Sequence, residues 1–192
     1  MKRIITSSII ASALIVGLTS VNSCSKVDDI IDNISIPVPF AINVNKNNLD
    51  IPFIVGTEYV KSPSIPLGIN LDAEIKERFQ GMSVDNVKSA KLASLSIGYV
   101  SSTNGTKLNA VSDAKVWISA PNQADRIIAT VTNNTSADAL SFTPVTTEQE
   151  AELMNYLKSP QVAIYLEIKG PDNKIDQMKI NINSSFRIQV GF

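Results

Sequence analysis

The chain has 192 residues, with 17 Lys and Arg against 18 Asp and Glu, no His, one Cys and 6% aromatic residues. Without imidazole it lacks the usual neutral-pH general base, the commonest metal ligand and every Ser-His or Cys-His nucleophile pair; a single Cys forms neither an internal disulfide nor a thiolate cage. A net charge of −1 does not supply the concentrated Lys and Arg that a phosphate backbone requires, so nucleic acid is not an expected partner.

The first element is not part of the fold. Lys2 and Arg3 give a positive start, and Ile4 to Leu18 is an uncharged apolar run broken only by small residues. That run is shorter than the roughly 20 residues a spanning helix needs and suits a signal peptide. It leads into Val21-Asn22-Ser23-Cys24, which puts the only Cys where the cut should fall. Here the chain resembles the bacterial lipoproteins, whose lipobox is an aliphatic residue, two small residues and Cys. Val21, Ser23 and Cys24 match it, while Asn22 stands where Ala, Ser or Thr is more usual. The resemblance implies cleavage before Cys24, a thioether from its thiol to diacylglycerol, and acylation of the new amino terminus by a chain such as palmitate. Several acyl chains hold a domain on a membrane, since each buried CH₂ contributes about 0.8 kcal/mol.

Residues 24–33 read as a flexible acidic tether carrying Asp28, Asp29 and Asp32. Ser25, where Asp would favour inner-membrane retention in enterobacterial lipoproteins, is compatible with the outer membrane. The acidic stretch is similar to the export signals of Bacteroidota envelope lipoproteins. Losing Lys2 and Arg3 with residues 1–23 leaves 15 basic against 18 acidic residues, a net charge of −3. The remainder, 34–192, reads as one β-domain.

Its dominant period is two, the spacing that sends alternate side chains to one face of a strand. Ile34, Ile36, Val38, Phe40, Ile42 and Val44 alternate, as do Leu49 to Val55 and Ile65 to Leu71; Pro37, Pro39, Pro52 and Pro66 point to edge strands because proline cannot donate to a ladder. Leu95, Ile97 and Tyr99 run into Asn104-Gly105 and are followed by Ala114, Val116 and Ile118, the pattern of a hairpin. The parity change between Leu92 and Leu95 suggests a bulge or a late strand start. Arg126 to Val131 pairs with Ala139 to Thr143 across Asn133 to Ser136. Val162 to Ile168 and Met178 to Phe192 flank a turn at Gly170-Pro171-Asp172-Asn173. Two short helices interrupt the strands. Asp72 to Gln80 has acidic residues at its start and Gly81 as a stop; the second begins at Thr147, where Thr147 and Glu150 match a capping box, and ends at Pro160. The expected fold is mainly β, an antiparallel β-sandwich, immunoglobulin-like in general architecture, with two short helices.

Chemistry is sparse, and no catalytic, cofactor or metal residues are assigned. Ser112-Asp113-Ala114-Lys115 matches Ser-x-x-Lys, but that motif works on a helix and this segment enters a strand. Asp172, Asn173 and Asp176 offer oxygens to a Ca²⁺ without a recognised spacing, which favours an ordinary turn. Trp117 faces away from Val116 and Ile118, either into packing or outward as a binding anchor. The expectation is a non-enzymatic, lipid-anchored envelope protein, attached at Cys24, whose sandwich presents loops Ser101 to Thr106 and Asn133 to Ser136 to a protein or glycan partner. Two alternatives remain open: a carrier of an apolar ligand within the β-structure, and an outer-membrane β-barrel ending at Phe192.

Overall fold

The structure is a computed structural model, and it describes residues 37–191. The lipobox with Cys24, the acidic tether and Phe192 lie outside the described residues.

The alternating apolar positions form long antiparallel strands. β1 (Val38–Val55) pairs along its length with β9 (Lys174–Val190). Its two alternating runs belong to one strand joined by an irregularity between Lys46 and Leu49. Asn48 takes φ 54° there, a conformation Asn tolerates better than most residues, and the bulge switches the buried parity from Ile42 and Val44 to Phe53 and Val55. β1 is a true edge, as its prolines imply: it pairs with β9 alone among the long strands.

β4 (Val87–Ser102) lies on the other side of β9, and the bulge read at Leu92 to Leu95 is present as a register shift between Leu92 and Ser94. β7 (Ala139–Pro144) pairs with β4 and also with β6 (Arg126–Val131). β5 (Asp113–Ser119), β8 (Ala163–Lys169) and the two-residue β2 (Val60–Lys61) complete the path β1-β9-β4-β7-β6-β5-β8-β2, with β3 (Ile65–Pro66) also on β8. Because β7 joins both sides, the strands follow one continuous antiparallel path, curled into a half-barrel, with no break in pairing to divide it into two sheets.

One expected connection differs. Asn104-Gly105 turns the chain, with Gly105 at φ 76°, but β4 and β5 are not partners. The loop instead crosses from one side of the half-barrel to the other. The segment 170–173 links β8 to β9 as expected, and these two strands pair with different neighbours. Local turn chemistry fixes where a chain bends; the partner is chosen by which apolar faces the bend brings together.

Helix α1 (Leu71–Arg78) is capped by Asn70, whose side chain accepts from the Ala73 N–H at 3.1 Å, and buries Leu71 and Ile75. The second helical segment is two single turns, α2 (Glu148–Ala151) and α3 (Met154–Leu157). The Thr147 box does not form, since Thr147 makes no side-chain cap bond. The Glu152 carboxylate breaks the segment by accepting from both Ala90 N–H and Met154 N–H at 2.9 Å, while Leu153 N–H donates to the Ala90 carbonyl at 2.7 Å. A capping box exists elsewhere, between Ser83 and Asn86. The core fills the inner face: Leu92, Leu95, Val116, Ile118, Ile164 and Phe186 are buried.

Candidate functional cavity

The cavity follows from how the chain leaves β1. After Val55 it turns at Gly56 and returns as β2, antiparallel to β8 rather than to β1. The two arms of this would-be hairpin are therefore held by different neighbours and splay apart. At the apex they are pinned, because Gly56 bridges Lys169 and its carbonyl accepts from the Gly170 N–H at 2.9 Å. Away from the apex a gap opens between Ile51 to Ile54 on one arm and Lys61 to Pro63 on the other, and beneath it lies a cavity of about 410 Å³.

The walls are aliphatic. Ile97, Leu140, Leu166, Ile168, Met178 and Ile180 project from four strands, and Leu108 and Val111 close one end. The volume falls within the range of roughly 300–1,000 Å³ typical of small-molecule sites. Ser62 and Lys61 supply the only polar side chains in this lining. The Ser62 hydroxyl is committed to structure: it accepts from the Leu166 N–H at 2.9 Å and donates to the Pro63 carbonyl at 2.9 Å, while the Ser62 N–H donates to the Leu166 carbonyl at 2.8 Å. It thereby stands in for a backbone carbonyl where Pro63 interrupts the strand.

On the outer face above this rim, aromatic rings and lysines alternate. Trp117 and Tyr165 stack with centroids 5.9 Å apart and planes 7° from parallel, and the Lys61 ammonium sits 3.7 Å from the Tyr165 centroid. Trp117 Nε1–H donates to Glu167 at 2.9 Å, and the Tyr165 hydroxyl donates to Asp125 at 3.0 Å. Burial pushes the Tyr165 phenol up to about 12, assisted by the hydrogen bond to Asp125 and by the negative charges of Asp125 and Glu167. Trp117 is thus a half-buried packing residue of this face.

The other singled-out residues are structural. Ser112 donates to Asp113 at 2.8 Å and to the Lys169 carbonyl at 3.2 Å, whereas the Lys115 ammonium lies over the Tyr59 ring, so no Ser-Lys pair is assembled. Asp172 and Asn173 are exposed, and Asp176 is separated from them in role. Asp176 is buried on the inner face and accepts backbone N–H groups from Asn104, Thr106 and Gln177. Burial works to raise its pKa, but these bonds, together with the Thr106 side chain, outweigh it and hold the carboxyl below the usual range. Among the described residues no group of three or more His, Cys, Asp and Glu is arranged to hold a metal.

Lys61 and Ser62 carry no signal in the sequence, because a Lys-Ser-Pro stretch forms no motif; Pro52 and Pro66, two of the four edge-marking prolines, are the available signal for an open seam.

No protein-family model and no curated protein matches this chain. Among solved structures, a chain of turnip yellow mosaic virus is similar at 12% identity and a TM-score of 0.28, over 97% of this chain and 92% of that one. A second structure of turnip yellow mosaic virus, at 100 K, gives 12% identity and 0.25 over 81% and 96%; the empty head of the same virus gives 13% and 0.24 over 95% and 90%. Likeness at this level carries no argument about function.

Proposed function

We propose that this protein is a non-enzymatic, lipid-anchored component of the bacterial cell envelope, attached to the outer membrane through Cys24, that carries an apolar ligand inside its half-barrel. The observation behind this reading is the aliphatic cavity of about 410 Å³ opening between β1 and β2. In this reading β1-β9-β4-β7 and β8-β2, the strands that line the cavity, act as the two sides enclosing the ligand, a sandwich-like use of a single curled sheet.

Two observations favour a carrier, the first over display of loops and the second over a membrane barrel. Asn104 and Thr106 are latched to Asp176, and the Asn134 side chain donates to the carbonyls of Leu108 and Val111 at 3.0 Å, so both polar loops are engaged internally. The outer face carries Lys61, Lys115, Glu167, Lys169 and Arg187 while the inner face is apolar, the opposite of a lipid-facing barrel.

Native mass spectrometry of the Cys24→Ala chain, purified without detergent, tests the reading. The expected result is a co-purifying apolar molecule that is lost in Ile97→Phe, which fills the cavity; a bare polypeptide mass from freshly isolated protein counts against it. A second reading, a glycan-binding protein, rests on the polar depression bordered by Asn104, Asn109, Asp172 and Lys174. Loss of glycan retention on substituting Asn109 and Asp172 would support that one instead.

A further inference from the structure

We infer that the ligand of this cavity is an anionic amphiphile with a single hydrocarbon chain, its tail among the aliphatic side chains and its carboxylate or other anionic head outside the rim, met by Lys61. The inference rests on the carrier reading and adds the ligand's chemical class.

The interior dictates the tail. Ile97, Leu140, Met178 and Ile180 offer no hydrogen-bond donor and no acceptor stronger than the Met178 sulfur, and the one hydroxyl in the lining, on Ser62, has its proton already given to the Pro63 carbonyl. A polar group carried inside would lose water without replacement, and a charged one would lose far more than a neutral one. Whatever enters is therefore hydrocarbon, and any head stays at the opening.

The rim dictates the head. One side is apolar: Pro52 and Ile54 border the opening, and Ile54, 45% exposed, sits across the strand pair from Ile175, 77% exposed. The other side carries Lys61, the only charged residue in the lining. Its ammonium rests on the outer face of Tyr165, and it takes part in none of the ion pairs formed among the described residues. Glu167, its cross-strand neighbour, is instead engaged by the Trp117 indole. The positive charge is thus held beside the mouth by an aromatic ring rather than neutralised by a carboxylate. A lysine on a flexible stem can leave that ring for an anion, because a solvent-exposed cation–π contact is weak. An apolar shoulder facing a lone cation fits a fatty-acid-like molecule better than a neutral or cationic one.

Isothermal titration calorimetry on the full-length Cys24→Ala chain with decanoate, decanol and decyltrimethylammonium tests this. The expected result is decanoate binding at least tenfold tighter than decanol, with the cation weakest. Lys61→Met should reduce the decanoate preference over decanol to within about twofold, and Lys61→Arg should retain the preference; Lys61 is exposed, so neither change disturbs the core. Equal affinity for decanoate and decanol, or a preference for the cation, overturns the anionic head and leaves the carrier reading standing. No binding of any of the three by folded protein overturns both. A preference that persists in Lys61→Met assigns the head to another group and overturns the role of Lys61.

Discussion

The Gly170 N–H donates to the Gly56 carbonyl at 2.9 Å, pinning the apex of a hairpin whose arms are otherwise held apart by β9 and β8. Gly170 can do this only without a side chain: a Cβ there would lie 2.0 Å from the Ala110 carbonyl oxygen and 2.7 Å from Val55 Cγ1. Backbone cannot yield as a flexible side chain can, so Gly170→Ala should cost about 3 kcal/mol or more and lower Tm by roughly 6 °C or more. Gly56→Ala meets the end of Val60 at 3.1 Å and should cost less. Thermal denaturation of both variants checks the order, and equal losses would show that the apex is not held at Gly170.

The apex also shows what the sequence withheld. Strand positions, the bulge near Ala93, the edge character of β1 and helix α1 were legible, because alternation, proline and capping act within a few residues. Pairing was not. The Asn104-Gly105 turn reads as a hairpin, yet β4 finds its neighbours in β9 and β7, chosen by burial of residues such as Ile97 and Leu140 far along the chain. The cavity was invisible for a related reason: an aliphatic strand residue looks the same in sequence whether it meets another side chain or a void.

Asp176 ties the β4–β5 loop to the inner face, and its pKa lies below the ordinary value of 3.8. A carboxyl depressed in the folded state binds fewer protons there than in the unfolded chain, so it contributes stability above pH 3.8 that is lost as pH falls through the lowered native value. Asp176→Asn should therefore lower Tm at neutral pH and show a smaller loss on acidification below pH 4 than the parent. Parallel pH–Tm curves for the two proteins would remove Asp176 as the source.

Tyr165 sets the opposite limit. Its phenol ionises near 12 in the folded state against 10.0 for the free side chain. Between those values the unfolded chain releases a proton that the folded one keeps, so stability is full below pH 10 and falls as pH rises towards 12. Alkaline absorbance titration should resolve a tyrosine step near pH 12, and Tyr165→Phe should abolish that step. If the late step survives the substitution, the burial argument fails.

Lipidation at Cys24 is tested by metabolic labelling with palmitate. The wild-type chain should take up label and partition with membranes, while Cys24→Ala should take up none. Absence of label in wild type would remove the anchor from the proposed function without touching the cavity.

The hollow itself can be tested by placing the same substitution at two buried isoleucines. Ile97 lines the cavity, whereas Ile118 is fully buried and outside its lining. Enlarging a side chain in a packed core forces neighbours off their rotamers at a cost of about 1–3 kcal/mol, and this should hold for Ile118→Phe. At Ile97 the added atoms enter empty space and gain contacts that the void withheld, so Ile97→Phe should leave Tm unchanged or raise it. Denaturant unfolding of both variants separates the cases. A loss at Ile97 as large as that at Ile118 would mean the space is filled by side-chain motion, and an aliphatic ligand would then have to displace protein atoms to enter.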